Sequence, residues 1–302
     1  MSDFLTKIRQ LALVEENRPL STLTTFRIGG KARYVVYPKD ILSLGEILRI
    51  IKEEKLDYKV IGKGSNLLCS DLDYPGVIIK FDKFFLNSYY DGEDLIAQAG
   101  ISIIVLAYDS MKKGLSGLEF ASGIPGTLGG TIYMNAGAYK ASMADLVREV
   151  LVLRNGKLDW ISNHDCHFAY RTSVFQQHPE WIILAAKLHL KKENVETIRS
   201  LIDERRKRRM ETQPLDYPSA GSIFRNPQND FAWKYIDELG LRGKCVGQAQ
   251  ISEKHSNFII NKGQAKGEDV AGLIKLVNKQ MKTNFGFELK TEVEWFNWPK
   301  KK

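Results

Sequence analysis

Two glycine-rich loops are the segments of this sequence best suited to chemistry. The first, Val60-Ile-Gly-Lys-Gly-Ser-Asn-Leu-Leu68, follows a short apolar run and places Ser65 and Asn66 after two glycines. Successive exposed N–H groups in such a loop can form an anion-binding nest. The loop matches neither standard nucleotide fingerprint, because Leu67 stands where a Rossmann loop has its third glycine and the Walker spacing is absent. A tight turn and a phosphate site therefore both remain open.

The second loop, Ala121-Ser-Gly-Ile-Pro-Gly-Thr-Leu-Gly-Gly130, continues into the segment 131–138. Seven of the 24 glycines in the chain lie between Gly114 and Gly137. Because glycine permits backbone angles and close approaches that other residues resist, this density indicates backbone wrapped around a ligand. Two such loops could hold the two ends of one pyrophosphate, which favours a dinucleotide.

Several polar side chains outside these loops could also do chemistry. Arg171 follows an aromatic residue, Ser222 follows a glycine, and Glu292 lies in an alternating run near the end of the chain. Taken alone, these patterns are also typical of an ion pair, a turn and a solvated strand face. His255, in Ser-Glu-Lys-His, is equally compatible with a substrate contact and with packing beneath a cleft.

The cysteines indicate neither a disulfide framework nor a metal site. Cys69, Cys166 and Cys245 are odd in number, widely spaced and in no CxxC pair, which fits a reducing cytoplasm. His164 and His167 flank Cys166, but the cluster lacks a fourth ligand, so we predict no bound metal.

Composition and charge limit the classes of protein. The chain has 302 residues, of which 43% are hydrophobic and 26% charged, as is typical of globular proteins. The net charge of +8 equals the five charges of the run 205–209 plus the three of the tail 300–302. The remaining surface has no general positive field, which argues against a nucleic-acid-binding protein. No run approaches 18 apolar residues, so we expect a cytoplasmic protein without a membrane span.

Hydrophobic periodicity predicts a mixed α and β fold in three segments: 1–80 as an α/β unit, 81–204 as an α+β unit and 205–302 as a third domain. The main predicted helices cover 41–51, 195–202 and 270–281. The second of these continues beyond residue 202 and ends in the basic run 205–209. The main predicted strands are 32–37, 58–61, 77–81, 181–190 and 288–296. Asn155-Gly156 between two apolar runs predicts a hairpin of 147–153 with 157–161.

Six motifs, in order and spacing, resemble the UDP-N-acetylenolpyruvoylglucosamine reductases, the MurB enzymes of peptidoglycan synthesis. The resemblance runs from about Leu23 to Phe296. The interval between Tyr170 and Ser222 resembles the shorter class of the family, which lacks an inserted tyrosine-bearing loop. The motifs are Gly62 to Leu68; Gly123-Ile-Pro-Gly126 with Met134-Asn-Ala-Gly-Ala-Tyr139; Tyr170-Arg-Thr-Ser173; Pro218-Ser-Ala-Gly-Ser-Ile-Phe-Arg-Asn-Pro227; Ile251-Ser-Glu-Lys-His-Ser-Asn-Phe-Ile259; and Glu292.

The resemblance implies an α+β fold in which two subdomains, 1–80 and 81–204, bind FAD in the manner of the vanillyl-alcohol oxidase superfamily. The third, 205–302, would bind the substrate. NADPH would reduce FAD, and the reduced flavin would reduce the enolpyruvyl group of a UDP-sugar to UDP-N-acetylmuramate. Residues 61–70 contain no histidine for covalent attachment, so we expect noncovalent FAD. The sequence leaves the oligomeric state open.

The resemblance also implies a role for each motif residue. Arg171 would bind the substrate carboxylate through two parallel hydrogen bonds, Glu292 would lie across that carboxylate, and Ser222 would donate the proton. Tyr170, Arg225, Asn226 and His255 would contact substrate. The expected FAD-binding residues are Gly62, Lys63, Gly64, Ser65, Asn66, Leu67, Ser122, Gly123, Ile124, Pro125, Gly126, Gly130, Asn135 and Ala138.

Two other functions compete with this interpretation. One is another FAD-dependent oxidase or dehydrogenase of the same superfamily, and the other is an anionic-surface or nucleic-acid-binding protein that uses the basic runs. The run 205–209 would spread over a full helical turn, so we place it at a domain junction. There it is either a solvated face or partly available to UDP or NADPH phosphates. Lys140 stands where the family pattern has glycine, and Cys69 where it has an aliphatic residue.

Overall fold

The structure is a computed structural model that describes residues 3–228 and 230–299. The basic tail 300–302 lies outside the described residues. Seven helices are described: α1 Asp3–Leu11, α2 Ile41–Glu53, α3 Ile103–Lys112, α4 Leu128–Tyr133, α5 Val195–Thr212, α6 Ala232–Glu238 and α7 Gly267–Phe285. Among the described residues, no helix combines the length and the apolar character needed to cross a membrane.

The strands are mostly short. They are β1 Ala12–Pro19, β2 Lys31–Pro38, β3 Tyr58–Val60, β4 Leu67–Cys69, β5 Tyr74–Ile79, β6 Ser88–Asp91, β7 Asp94–Gln98, β8 Leu115–Ser116, β9 Gly137–Ala138, β10 Ala141–Ser142, β11 Val147–Arg154, β12 Lys157–Ser162, β13 Ile182–His189, β14 Lys191–Lys192, β15 Ser219–Ser222, β16 Cys245–Val246, β17 Ala249–Ile251, β18 Phe258–Asn261 and β19 Glu294–Phe296. Both helices and antiparallel strands occur throughout the described residues, so the predicted α+β class is confirmed.

The chain divides into two compact units, each built from separate stretches of sequence. Unit 1 consists of the described residues up to Glu16 together with Tyr34–Lys63 and Gly76–Arg208. Unit 2 consists of Asn17–Arg33, Gly64–Pro75 and the described residues from Arg209 onward. The three-domain division at residues 80 and 204 stays a prediction.

Unit 1 is built around a five-stranded sheet of order β12-β11-β13-β7-β6 and a four-stranded sheet of order β1-β2-β5-β3. The predicted hairpin is confirmed: Arg154 pairs with Lys157, and both Asn155 and Gly156 have positive φ, as a tight two-residue turn requires. Helix α2 begins as predicted at Ile41, where the Asp40 carboxylate accepts the Ser43 N–H at 2.7 Å.

Unit 2 is built around the antiparallel sheet β15-β18-β17-β16, with the apolar face of α7 buried in the same core. The predicted strand 288–296 is wrong in its length, because regular pairing is limited to β19, which runs parallel to β4. Before β19, Thr291 forms a single bridge with Phe224. The segment therefore changes its pairing partner between Thr291 and Glu294, and neither partner extends over the whole run.

Candidate active site

The two glycine loops predicted from the sequence meet inside unit 1. A Cβ atom on Gly62 would lie 2.5 Å from the hydroxyl oxygen of Thr127, so only glycine fits at this approach. Thr127 in turn accepts the Gly130 N–H at 3.3 Å and begins α4. The Lys63 ammonium lies 3.3 Å from the Ser102 hydroxyl. The first loop is thus packed directly onto the second.

The buried side chain of Lys80 stabilises the first loop. Lys80 is almost fully buried, donates from Nζ to the Gly62 carbonyl and lies 3.2 Å from a carboxylate oxygen of Asp82. This bond fixes the orientation of the peptide that enters the loop. Nothing in the sequence singled out Lys80, because it occurs in an ordinary apolar strand and its contact with Gly62 is 18 residues away.

Several backbone donors of these loops lack a partner within the chain. Across residues 3–228 and 230–299, no acceptor takes the N–H groups of Gly62, Lys63 and Gly123 in unit 1. The same holds for Gly64 and Ser65 in unit 2. Buried or half-buried N–H groups are normally paired, and unpaired donors in consecutive residues suit an anion. The donors of each unit, taken separately, therefore suit a phosphate group.

The remaining residues of the second loop lie around these donors. Gly126 is buried, and its N–H donates to the Ile124 carbonyl at 2.8 Å in a tight turn. The Ser122 hydroxyl donates to the Glu119 carbonyl at 2.8 Å. Pro125 is exposed to solvent. Ser122 is thus already engaged in the loop itself.

Arg171 is held in a strained turn of unit 1. The turn runs from Ala169 to Thr172, whose backbones exchange two 3.0 Å hydrogen bonds, and Arg171 has φ +54°. Its guanidinium donates to the Gly137 carbonyl at 2.8 Å and lies 5.2 Å from the Tyr170 ring centroid. A non-glycine residue in the left-handed region persists only where its surroundings determine it.

Hydrogen bonds from the side chains of Asn135 and Gln176 hold this turn in its conformation. The Asn135 amide donates to the Ala169 carbonyl at 2.8 Å, and its oxygen accepts the Ala144 N–H at 2.9 Å. The Gln176 amide donates to the Arg171 carbonyl at 3.1 Å. The two side-chain bonds of Asn135 support the turn that presents Arg171, and the assignment of Asn135 to FAD binding stays a prediction. Gln176 was missed, although it lies only five residues after Arg171.

In unit 2, Ser222 ends strand β15 next to a buried amide. Gly221 has φ +74°, and Ser222 pairs with Phe258 of β18. The Asn257 amide donates to the Phe224 carbonyl at 2.8 Å and accepts the Phe224 N–H at 3.0 Å. The buried Asn257 side chain thus forms the two hydrogen bonds with Phe224 that a neighbouring strand would otherwise form. These bonds stabilise the segment after Ser222. Among residues 3–228 and 230–299, the Ser222 hydroxyl makes no hydrogen bond.

Glu292 lies on the segment that pairs with the one following Ser222. Its N–H donates to the Ile223 carbonyl at 2.7 Å, and its own carbonyl accepts the Asn66 side-chain amide at 3.1 Å. The Glu294 N–H donates to the Asn66 carbonyl at 2.8 Å. Unit 2 therefore brings together three backbone segments, at Glu292, at Ile223 and at Asn66 of the first loop. Leu67, the next residue of that loop, begins the buried strand β4.

The other predicted substrate residues lie on the same sheet or beside it. The Arg225 N–H donates to the Lys290 carbonyl at 2.9 Å, and its side-chain Nε is buried without a partner among the described residues. The Asn226 side chain accepts the Ala232 N–H at 3.1 Å, just before α6. A buried guanidinium nitrogen without an acceptor is costly, so Arg225 suits an anionic ligand.

His255 is half-buried. Its Nδ1 accepts the Asn257 N–H at 3.3 Å, and its ring lies edge-on to Phe258. Burial, and secondly the positive charge of Arg242, lower the pKa of His255 below its usual 6.5. Of the two interpretations left open by the sequence, packing is therefore observed, while contact with substrate stays a prediction.

The predicted catalytic residues are divided between the units. Arg171 belongs to unit 1, whereas Ser222 and Glu292 belong to unit 2.

Cys166 is buried but His164 is almost fully exposed, and the described residues contain no group of three side chains arranged to hold a metal ion.

Comparison with protein-family models identifies two domains. Residues 32–162 match the FAD binding domain, and residues 213–296 match the UDP-N-acetylenolpyruvoylglucosamine reductase C-terminal domain. The fold class predicted from the resemblance is therefore confirmed. The FAD-binding match covers the segment 122–138 and the whole of the first loop, including its residues in unit 1 and in unit 2. The unpaired N–H groups lie in these two segments.

Comparison with individual proteins gives the same family over nearly the whole chain. A UDP-N-acetylenolpyruvoylglucosamine reductase of Bacillus licheniformis is 40% identical over 97% of this chain and 98% of its own length. One of Thermotoga maritima is 43% identical over 92% of this chain and 97% of its own.

Solved structures extend this similarity to the fold. The crystal structure of the Thermus caldophilus MurB enzyme covers 95% of this chain and 99% of its own, with 33% identity and a TM-score of 0.81. A Phl p 4 variant described as a glucose oxidase covers 63% of this chain and 44% of its own at 15% identity and a TM-score of 0.50, a likeness of fold alone. The chain belongs to the UDP-N-acetylenolpyruvoylglucosamine reductase family.

Proposed function

We propose that this chain is an FAD-dependent, NADPH-oxidising reductase in peptidoglycan precursor synthesis. It would convert UDP-N-acetylglucosamine enolpyruvate to UDP-N-acetylmuramate in the cytoplasm. The observation that carries the proposal is the pair of glycine loops with unpaired N–H groups in a chain about 40% identical, over nearly its full length, to reductases named for this substrate.

The glycine loops would hold the FAD pyrophosphate. The N–H groups of Gly62, Lys63 and Gly123 supply donors in unit 1, and those of Gly64 and Ser65 supply donors in unit 2. When bound, FAD supplies the hydride chemistry that no protein side chain offers, accepting hydride from NADPH and delivering it to the substrate. Because the first loop contains no histidine, we expect its attachment to be noncovalent.

Arg171 would bind the carboxylate of the enolpyruvyl group. Negative charge grows on this carboxylate and its neighbouring carbon as hydride arrives, so a fixed cation there stabilises the transition state. The bond from the guanidinium to the Gly137 carbonyl fixes its plane before substrate binds. Such preorganisation reduces the entropy lost when the two-pronged contact forms.

Ser222 would donate the proton to the carbanion-like carbon. Its hydroxyl is half-buried and makes no hydrogen bond within residues 3–228 and 230–299, so no described group competes for its proton. An unperturbed serine is a weak acid, so transfer requires a strongly basic carbon and a relay that restores the proton.

Glu292 would act beside the substrate carboxylate. A bare carboxylate would repel the substrate, so we infer that Glu292 acts in its protonated form or through a water molecule. Its backbone is held by the Ile223 carbonyl and the Asn66 amide. Tyr170, Arg225, Asn226 and His255 are assigned to substrate binding, with the buried Arg225 Nε the best fitted to an anion.

Steady-state NADPH oxidation with and without the enolpyruvyl UDP-sugar tests the proposal. We expect yellow protein, stoichiometric NADPH consumption that requires the UDP-sugar, and release of all flavin into the supernatant on acid precipitation. Protein that binds no flavin, or NADPH consumption that ignores the UDP-sugar, would refute the assignment. Flavin retained in the pellet would refute noncovalent attachment alone.

A further inference from the structure

A strained hairpin in unit 1 presents two side chains that the mechanism above does not use. Strands β9 and β10 pair through Ala138 and Ala141, which leaves Tyr139 and Lys140 as a two-residue turn. Both have positive φ, 54° and 64°, the geometry that asparagine and glycine favour in such turns. Neither side chain is buried, so packing does not explain why these two residues occupy strained positions.

Helix α5 covers the tyrosine of this turn with arginines. The guanidinium carbon of Arg205 lies 4.8 Å from the Tyr139 ring centroid, and that of Arg208 lies 5.9 Å from it. The Tyr139 hydroxyl donates to the Arg205 carbonyl at 3.3 Å. Residues three apart share one face of a helix, so Arg205 and Arg208 face the Tyr139 ring together.

The same hairpin extends to Arg171. Gly137, the first residue of β9, accepts the Arg171 guanidinium at 2.8 Å. Among the described residues, no carboxylate lies within ion-pair distance of Lys140 or Arg205. The hairpin carries Lys140, contacts Arg205 and Arg208 of α5 through Tyr139, and contacts Arg171 through Gly137.

We propose that Tyr139, Lys140, Arg205 and Arg208, here called the Tyr139 platform, bind a phosphate group of a nucleotide substrate beside Arg171. The inference rests on the proposed function, which supplies two sources of that chemistry: the diphosphate of the UDP-sugar and the phosphates of NADPH. A guanidinium stacked on an aromatic ring is already partly ordered, and it meets phosphate through two parallel bonds. The strained turn places Lys140 on the same hairpin.

Arg205→Gln tests the platform, and Arg206→Gln is its matched control. Both remove one charge from the same turn of α5, but Arg206 is exposed, and no described hydrogen bond, ion pair or ring contact joins its side chain to Tyr139 or Lys140. The glutamine at position 205 keeps the backbone carbonyl that accepts the Tyr139 hydroxyl. We would measure KM and kcat for NADPH, NADH and the UDP-sugar, and calorimetric Kd values of the holoenzyme for UDP and adenosine 2′,5′-bisphosphate.

Loss of a charge-assisted hydrogen bond should raise the affected constants about tenfold or more, with a smaller effect on kcat. A rise confined to the UDP-sugar and UDP assigns the platform to the diphosphate. A rise for NADPH and the bisphosphate, with NADH unchanged, assigns it to the 2′-phosphate. If wild-type protein is active and Arg205→Gln matches Arg206→Gln in every constant, the platform is refuted. If wild-type protein is inactive, the proposed function fails instead.

Lys140→Gly separates binding from folding. Glycine adopts positive φ without strain, so this variant should raise Tm while weakening binding of the same nucleotide. Should Arg205→Gln fail to fold, Lys140→Gly decides the question alone. A higher Tm with unchanged nucleotide constants would then overturn the proposal.

Discussion

Replacing Ser222 by alanine should separate the two half-reactions of the proposed cycle. Reduction of FAD by NADPH protonates no carbon, whereas reduction of the enolpyruvyl group does. Because the hydroxyl has no partner in the described chain and is half-buried, its removal should change the free energy of unfolding by no more than about 0.5 kcal/mol. Loss of a positioned general acid typically lowers a rate by about 10²- to 10⁴-fold.

Stopped-flow traces of flavin absorbance measure both steps in one instrument. Ser222→Ala should be reduced by NADPH at nearly the wild-type rate, and its reoxidation by the UDP-sugar should fall by the factor above. Ser219→Ala, three residues earlier in β15, is the matched control and should leave both rates unchanged. Equal loss of both half-reactions, or loss of neither, would refute the proton-donor assignment.

Three further substitutions test the remaining assignments. Arg171→Lys should slow reoxidation by the UDP-sugar far more than reduction by NADPH, because an ammonium cannot form the two-pronged contact; equal slowing in stopped-flow would contradict this. Glu292→Gln keeps a hydrogen bond and should be milder than Glu292→Ala, and equal turnover rates in the two would exclude a polar role. Because burial lowers the pKa of His255 in the fold, the unfolded chain binds its proton first as the pH falls below about 6.5. The free energy of unfolding should then decrease with falling pH, by at most about 1.4 kcal/mol per pH unit, and this component should be missing in His255→Gln. Urea unfolding at several pH values measures it, and identical pH profiles would refute it.

Elements with strong local signals were predictable from the sequence. Helix α2 and the β11–β12 hairpin were placed within two residues, whereas the prediction for α7 was three to four residues short at each end, because periodicity and an Asn-Gly turn act locally but do not mark where a helix ends. The run 288–296 was overextended. Its first part pairs around Phe224 and its last part with β4, and such a change of partner leaves no local signature in the sequence.

The order of the motifs indicated which residues to examine, but not what holds them. Asn135, Gln176 and Asn257 act through side-chain bonds to distant backbone groups. These bonds span up to 34 residues, and a polar residue that braces a turn looks the same in sequence as one that contacts a ligand. Only the buried position of Asn135 and Asn257 distinguishes them.

Four of the ten described non-glycine residues with positive φ lie in the two segments that present Arg171 and the Tyr139 platform. Asn135, Tyr139, Lys140 and Arg171 all have φ between 42° and 64°. Each such residue costs on the order of 1–3 kcal/mol and persists only where neighbouring contacts determine it. For Asn135 and Arg171 those contacts are side-chain hydrogen bonds to Ala169 and Gly137, and for Tyr139 the contact is with α5. Asn155 in the β11–β12 hairpin also has positive φ, at 51°, but asparagine tolerates this region more readily than tyrosine, lysine or arginine, so folding alone explains the other three positions less well. The strain is better explained by the need to hold Arg171 and the Tyr139 platform in place before any anion arrives.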